Sequence, residues 1–153
     1  MNREILFRGK RLDNGEWVEG ASIITFSDDG IMTVYMPKLA EKCIATHDDE
    51  TDNIIGFENC IFYKVDPDTV CQYTGMENKN GTKFFDGDIV KSKDKFREHI
   101  GVISYANARF VVDWMIHKHI SGNGTSFRTD DLCTSDEVIG NIFDNTELLG
   151  VIE

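Results

Sequence analysis

The chain has no Cys-x-x-Cys pair: Cys43, Cys60, Cys71 and Cys133 stand far apart in its 153 residues. A zinc ribbon and a redox dithiol both need close cysteine spacing, so the thiols read as small buried hydrophobes and no metal or other cofactor is expected. Long apolar stretches are missing too. The longest uninterrupted run, Cys60-Ile61-Phe62-Tyr63, is four residues, against the ~20 that a membrane span needs. The opening Met1-Asn2-Arg3-Glu4-Ile5-Leu6-Phe7-Arg8 carries charge where an export signal needs its apolar stretch, so a cytoplasmic protein with no membrane partner is expected. Basic charge is scarce. Sixteen Lys and Arg face 27 Asp and Glu, a net −11, and both halves share the excess of acid. No basic half exists to dock on phosphates, and direct nucleic-acid binding is not expected.

The signatures of hydrolytic chemistry are absent as well. There is no Gly-x-Ser-x-Gly elbow, and no cysteine lies in a recognisable catalytic setting. Gly122-Asn123-Gly124-Thr125 lacks the Lys-Ser/Thr ending of a phosphate loop and reads as a hairpin loop. His117 and His119, two apart, would share one face of a strand and could hold a zinc ion, but a third ligand is missing nearby. The acidic run from Thr46 to Asn53 lacks the ordered spacing of a calcium loop. Acid pairs such as Asp86 with Asp88, or Asp130 with Asp131, could serve as acid and base, yet carboxylates are too abundant here for that to discriminate. No catalytic residue and no metal ligand is therefore assigned, and the chain is expected not to be an enzyme.

What is present is a β pattern. Forty-one per cent of residues are hydrophobic and 10% aromatic, enough for a real core. Turn signals recur at Asp13-Asn14-Gly15, Asp28-Asp29-Gly30, Asn80-Gly81, Asp86-Gly87, Ala106-Asn107, Gly122-Asn123-Gly124 and Asp144-Asn145. Between them lie about nine short alternating or β-branched segments. Asn14-Gly15 is the sharpest local signal, because Asn-Gly suits the two positive φ angles of a type I′ hairpin turn. Helix is confined to short candidates at Pro37 to Lys42, Asp94 to His99 and Thr146 to Leu149. The fold class is all-β with minor short helices. Asp66-Pro67-Asp68 marks a seam between an N-terminal β-meander (1–66) and an SH3-like small barrel (67–153) within one domain. In the barrel Gly101 would permit a closing bend, with Val90, Val102, Val112 and Ile139 inside. Trp17, Trp114, Tyr73 and Tyr105 could form a stacking platform, although core filling is the commoner use of such rings. Phe62, Phe84, Phe110, Phe127 and Phe143 are assigned to the core. Aromatic residues in excess of what a small barrel hides would supply an interface for a partner or for a second copy.

Three separated motifs, in order, resemble the YopX-like family of phage and prophage proteins. They are Arg3-Glu4-Ile5-Leu6-Phe7-Arg8-Gly9 at the start, Asp66 to Gly75 running into Asn80-Gly81 and Phe85 to Lys91, and Glu137 to Asn145 followed by Glu147-Leu148-Leu149. Asn78 stands where an Asp is common in the family, and Cys71 where a Gly is common. The resemblance implies a small β-rich phage protein of unestablished biochemical activity. It singles out Gln72, Tyr73, Thr74, Gly75, Asn80, Gly81, Gly87, Asp88, Gly140 and Asn141 as candidate binding positions. The expected function is a non-enzymatic protein-binding or self-associating accessory module, a homo-oligomer with a protein partner in the bacterial host. An acidic DNA mimic that blocks a nucleic-acid-binding host protein is the alternative, and a metal-dependent hydrolase using His117 and His119 a minor one.

Overall fold

The structure, a computed structural model, describes residues 4–28, 31–37, 44–47, 50–51, 54–58, 61–93, 98–116 and 126–149. The chain is all-β: among the described residues there are fourteen strands and two single 3-10 turns. None of their helices is long and apolar enough to cross a membrane. Two compact units divide between Val70 and Cys71, four residues beyond Asp66.

In the first unit, β1 (Phe7–Lys10) and β2 (Trp17–Gly20) pair antiparallel from Phe7↔Gly20 to Lys10↔Trp17. Their connection is not the expected two-residue type I′ turn. Only Gly15 has a positive φ, +72°. Arg11 N donates to Glu16 O (2.9 Å) and Gly15 N to Arg11 O (3.0 Å), so the loop spans four residues. Asn14 contributes its side chain instead, its Oδ1 accepting from Glu16 N at 3.0 Å. Strands β3 (Ile24–Asp28), β4 (Ile31–Pro37) and β7 (Phe62–Val65) form a three-stranded antiparallel sheet. A separate hairpin of β5 (Ile44–His47) and β6 (Ile54–Glu58) lies between β4 and β7 in sequence. Val18, Val34, Met36 and Val65 close the core. After β7 the chain turns through a 3-10 segment at Pro67–Thr69, where Asp66 Oδ1 accepts from Asp68 N. Thr69 Oγ1 accepts from Lys10 N at 2.9 Å and fastens this turn to β1.

The second unit holds the hairpin of β8 (Cys71–Glu77) and β9 (Lys83–Phe85) and a five-stranded antiparallel sheet. The sheet comprises β10 (Asp88–Lys93), β11 (Glu98–Ala106), β12 (Arg109–Ile116), β13 (Ser126–Asp131) and β14 (Glu137–Asn141). Its order is β13-β12-β11-β10-β14: four strands meander and the fifth returns beside the first, the connectivity of an SH3-like small barrel. The type I′ geometry expected at Asn14-Gly15 occurs here. Asn107 and Ala108, with φ of +51° and +62°, join the last pair Ala106↔Arg109 of the β11–β12 hairpin.

Phe84, Val90, Ile103, Val112, Trp114 and Leu132 form the core of this unit, with Met76, Phe110 and Val138 packed against it. Val90 and Val112 are buried as expected, but Val102 and Ile139 are only half-buried. For Ile139 the cause is a bulge. Consecutive Ile89 and Val90 pair with Gly140 and Val138, leaving Ile139 as the extra residue and reversing the alternation of β14. Val102 pairs with Asp113, on the face opposite Ile103 and Val112. Gly101 is paired with Trp114. A Cβ there would stand 2.6 Å from Val112 Cγ1 and 2.8 Å from Trp114 Cε3, so the glycine makes room for the indole.

Of the helix candidates, Thr146–Leu148 is a 3-10 turn, while Glu98 and His99 belong to β11. The remainder, 38–42 and 94–97, lies outside the described residues. Phe84 fills the core, whereas Phe62, Phe110 and Phe143 are half-buried. Tyr105, 60% exposed, meets Phe110 in an edge-to-face arrangement, with ring centroids 5.1 Å apart.

Candidate functional site

The family-signature positions build turns. Gln72 accepts Asp86 N at its carbonyl (2.9 Å), and Tyr73 is buried with its ring 5.6 Å from that of Phe85. Thr74, also buried, accepts Met76 N at Oγ1 (3.2 Å), and Gly75 takes φ +86° where the register of β8 against β9 shifts. The β8–β9 loop is organised by buried Asn78, whose Oδ1 accepts from both Asn80 N and Thr82 N at 2.9 Å. An Asp presents the same acceptor, so the Asn leaves the loop geometry intact. Gly81 (φ +81°) completes that turn.

Gly87, Asp88, Gly140 and Asn141 are brought together. Asp88 pairs with Asn141, and Ile142 N donates to Gly87 O at 2.9 Å. Buried Asp88 accepts Phe85 N at Oδ2 (2.8 Å). Gly87 has φ +77°, and a side chain there would press on Ile142 and Phe143. Asn141 Oδ1 accepts from Phe143 N and Asp144 N, both at 3.0 Å. Asn80 and Gly81, at the hairpin tip, belong to a different turn.

A concavity of mixed chemistry lies on the five-stranded sheet. It has a volume of about 430 Å³ and is lined by Ser92, His99, Trp114, Asp130, Asp131, Cys133, Ser135 and Asp136. Strand register explains the convergence. Val90 pairs with Gly101 and Ser92 with His99, Gly101 pairs with Trp114, and Val112 with Asp130. Period-two alternation then sets Ser92, His99, Trp114 and Asp130 on the face that carries Val90, Ile103 and Val112. One face is thus apolar at one end and polar at the other. Trp114, 9% exposed, belongs to both: it is a core residue and it lines the groove.

The groove's wall is a tight turn after β13. Asp136, 2% exposed, accepts Cys133 N at Oδ2 (3.0 Å), and its own N–H donates to Cys133 O (3.1 Å). Lys79 N ties the turn to the β8–β9 loop through Thr134 O (2.9 Å). Ser135 Oγ donates to the exposed Cys133 Sγ at 3.2 Å. At the outer rim Asp131 forms an ion pair with Arg109. Two of the carboxylates therefore hold a turn and a cation rather than standing poised as an acid–base pair. Among the described residues no three His, Cys, Asp or Glu are grouped to hold a metal ion.

The sequence offered Asp130, Asp131, Trp114 and Cys133 separately, and placed His99 in a helix candidate. Ser92 carried no signal of its own, because only strand register brings it to the groove, and neither did Ser135 and Asp136, which the turn after β13 supplies. The expected platform does not form as one site within the second unit, since Tyr73 and Trp114 are largely buried and Tyr105 is exposed at a hairpin end. In the first unit the Arg8 guanidinium lies 4.7 Å from the Trp17 ring centre and Arg11 lies 4.1 Å from that of Tyr63. The hydrogen bond between Arg11 and Asp13 raises the guanidinium's pKa and lowers the carboxyl's. His117, His119 and the 122–125 loop lie outside the described residues, as do four positions of the 46–53 run.

The sequence profile of the family described as YopX protein matches residues 6–150. No curated protein matches. Among solved structures the chain is similar to the crystal structure of protein EF1440 from Enterococcus faecalis. The identity is 24% over 95% of this chain and 97% of that one, with a TM-score of 0.50, a likeness of fold.

Proposed function

The chain belongs to the YopX protein family, and from that premise we propose that it is a non-enzymatic accessory protein of a phage or prophage, acting in the host cytoplasm by binding another protein. The observation that carries this reading is the groove, where four strands and a rigid turn present an aromatic wall, an imidazole and carboxylates on a small-barrel sheet. Small β folds display such surfaces as recognition sites, with the scaffold held by turns elsewhere. Here the signature residues supply the scaffold. Self-association into a homo-oligomer belongs to the same reading: exposed Ile5, Leu12, Ile61 and Tyr105 offer apolar contact area, which must outweigh the screened repulsion of chains at −11.

The test is retrieval of partners by the tagged protein from host cells carrying the phage, compared with a Ser92→Trp variant that fills the groove. A stoichiometric protein retained by the wild type and lost from the folded variant is expected. Equal retention by both, or no protein partner at all, would refute the groove as the binding site. The net charge also supports a second reading, an acidic mimic of nucleic acid. A captured DNA-binding protein released steeply by salt, with the bait monomeric by light scattering at all concentrations, would favour the mimic. A salt-insensitive partner and a discrete oligomer would favour the first reading.

A further inference from the structure

Resting on that reading, we propose that the groove recognises an arginine side chain on an extended segment of the partner protein. Three features of the site converge on this occupant. Trp114 lines the cavity on the same sheet face as Asp130, so an aromatic ring and a carboxylate border one space. An aromatic face beside negative charge suits an organic cation. A guanidinium fits better than an ammonium because it is flat, weakly hydrated and can stack on the indole while donating in its plane to carboxylates. The chain's own Arg109, paired with Asp131 at the rim, shows that a guanidinium is accommodated at this acidic edge.

The shape of the site selects a side chain on a peptide. A volume of about 430 Å³ lies low in the roughly 300–1,000 Å³ range of ligand pockets and suits one long side chain with part of its neighbours. Asp130 and Asp131 lie on β13, the last strand in the order of the sheet, which puts the acidic side of the groove at the sheet's edge, where an extended segment can reach it. The net charge of −11 adds long-range attraction for a basic segment.

The experiment titrates the isotopically labelled full chain with the peptide acetyl-Gly-Ser-Arg-Ser-Gly-amide, followed by amide and indole NMR signals. Its citrulline counterpart, neutral but nearly the same shape, serves as the comparison. Shifts should concentrate on the Trp114 indole, His99 and residues 130–136. The citrulline peptide should bind about tenfold more weakly, since it retains the stacking and loses the charge. Added salt should weaken only the arginine peptide, and Asp130→Asn, its fold verified by the amide spectrum, should reduce the preference for arginine. Equal affinity for the two peptides, or shifts elsewhere on the molecule, would overturn the proposal. If the groove-filling variant loses its cellular partner while the arginine peptide leaves the groove signals unmoved, the arginine inference fails and the binding-module reading survives. If the peptide binds as expected while both proteins retain the same partner, the groove is not that partner's docking site and the proposal fails; if the peptide binds while the wild type retains no protein at all, the binding-module reading fails alone.

Discussion

Replacing Gly101 by alanine sets two opposing effects against each other, and the structure decides which wins. Its φ is not in the positive range that disfavours a side chain, so the stiffer unfolded chain alone would stabilise the alanine variant by about 0.4–1 kcal/mol. Against this, the new methyl would sit 2.6 Å from Val112 Cγ1, 2.8 Å from Trp114 Cε3 and 3.0 Å from Asp113 O. None of these neighbours yields easily. Val112 is fully buried, Trp114 nearly so, and Asp113 O is backbone of a strand paired on both sides. Overpacking of this kind costs about 1–3 kcal/mol, so a net loss of about 1–2 kcal/mol is expected. For a unit of this size, each kcal/mol corresponds to roughly 4–8 °C in melting temperature. Urea unfolding followed by far-UV circular dichroism measures the loss, which should appear in the midpoint with an unchanged slope. In a Trp17→Phe background, where Trp114 is the remaining tryptophan, its emission should shift as the indole is pushed toward the groove. A variant as stable as the parent, with unaltered emission, would refute the claim that Gly101 seats the indole.

Ala108 occupies a left-handed conformation, φ +62°, which costs a non-glycine residue about 1–2 kcal/mol. Ala108→Gly should therefore raise stability by about 1 kcal/mol in the same unfolding assay. Asn78→Ala strips the acceptor from two backbone N–H groups and should cost about 1–3 kcal/mol, whereas Asn78→Asp should keep the β8–β9 loop and lose little; equal losses would contradict the assigned role. The lowered pKa of Asp13 means that its ion pair with Arg11 is present above the ordinary carboxylate range and is lost as pH falls through the depressed value. A carboxyl-detected NMR titration should place the Asp13 midpoint below that of an exposed aspartate, and Arg11→Ala should return it to the usual range.

How much of this was legible in the sequence depended on how local the cause was. Gly75, Gly81 and Gly87 mark turns through their positive φ values, a property a single residue type reveals. Asn14-Gly15 misled because a four-residue loop satisfied its backbone, while Ala108 took a conformation its residue type disfavours. Ile139 was misassigned because one bulged residue shifts the face of β14, and a bulge leaves no mark on periodicity, whereas Val102 simply alternates with buried Ile103 onto the opposite face of β11. Strand β13, Ser126-Phe127-Arg128-Thr129-Asp130-Asp131, carries little of the alternating apolar signal, since it lies at the end of the strand order of its sheet. The groove was the least legible feature, because its residues are assembled from four strands whose register no local pattern contains.

The double membership of Trp114 has a thermodynamic consequence. A residue that lines the groove and also closes the core places binding and folding in one linked equilibrium. A ligand held only by the folded form adds RT ln(1 + [L]/Kd), about 2.7 kcal/mol at a hundredfold excess over its Kd. The melting curve of the second unit thus becomes a detector for whatever occupies the groove, able to rank unlabelled candidates in a simple thermal screen. Mutational drift in that core would in turn loosen recognition before it unfolded the chain.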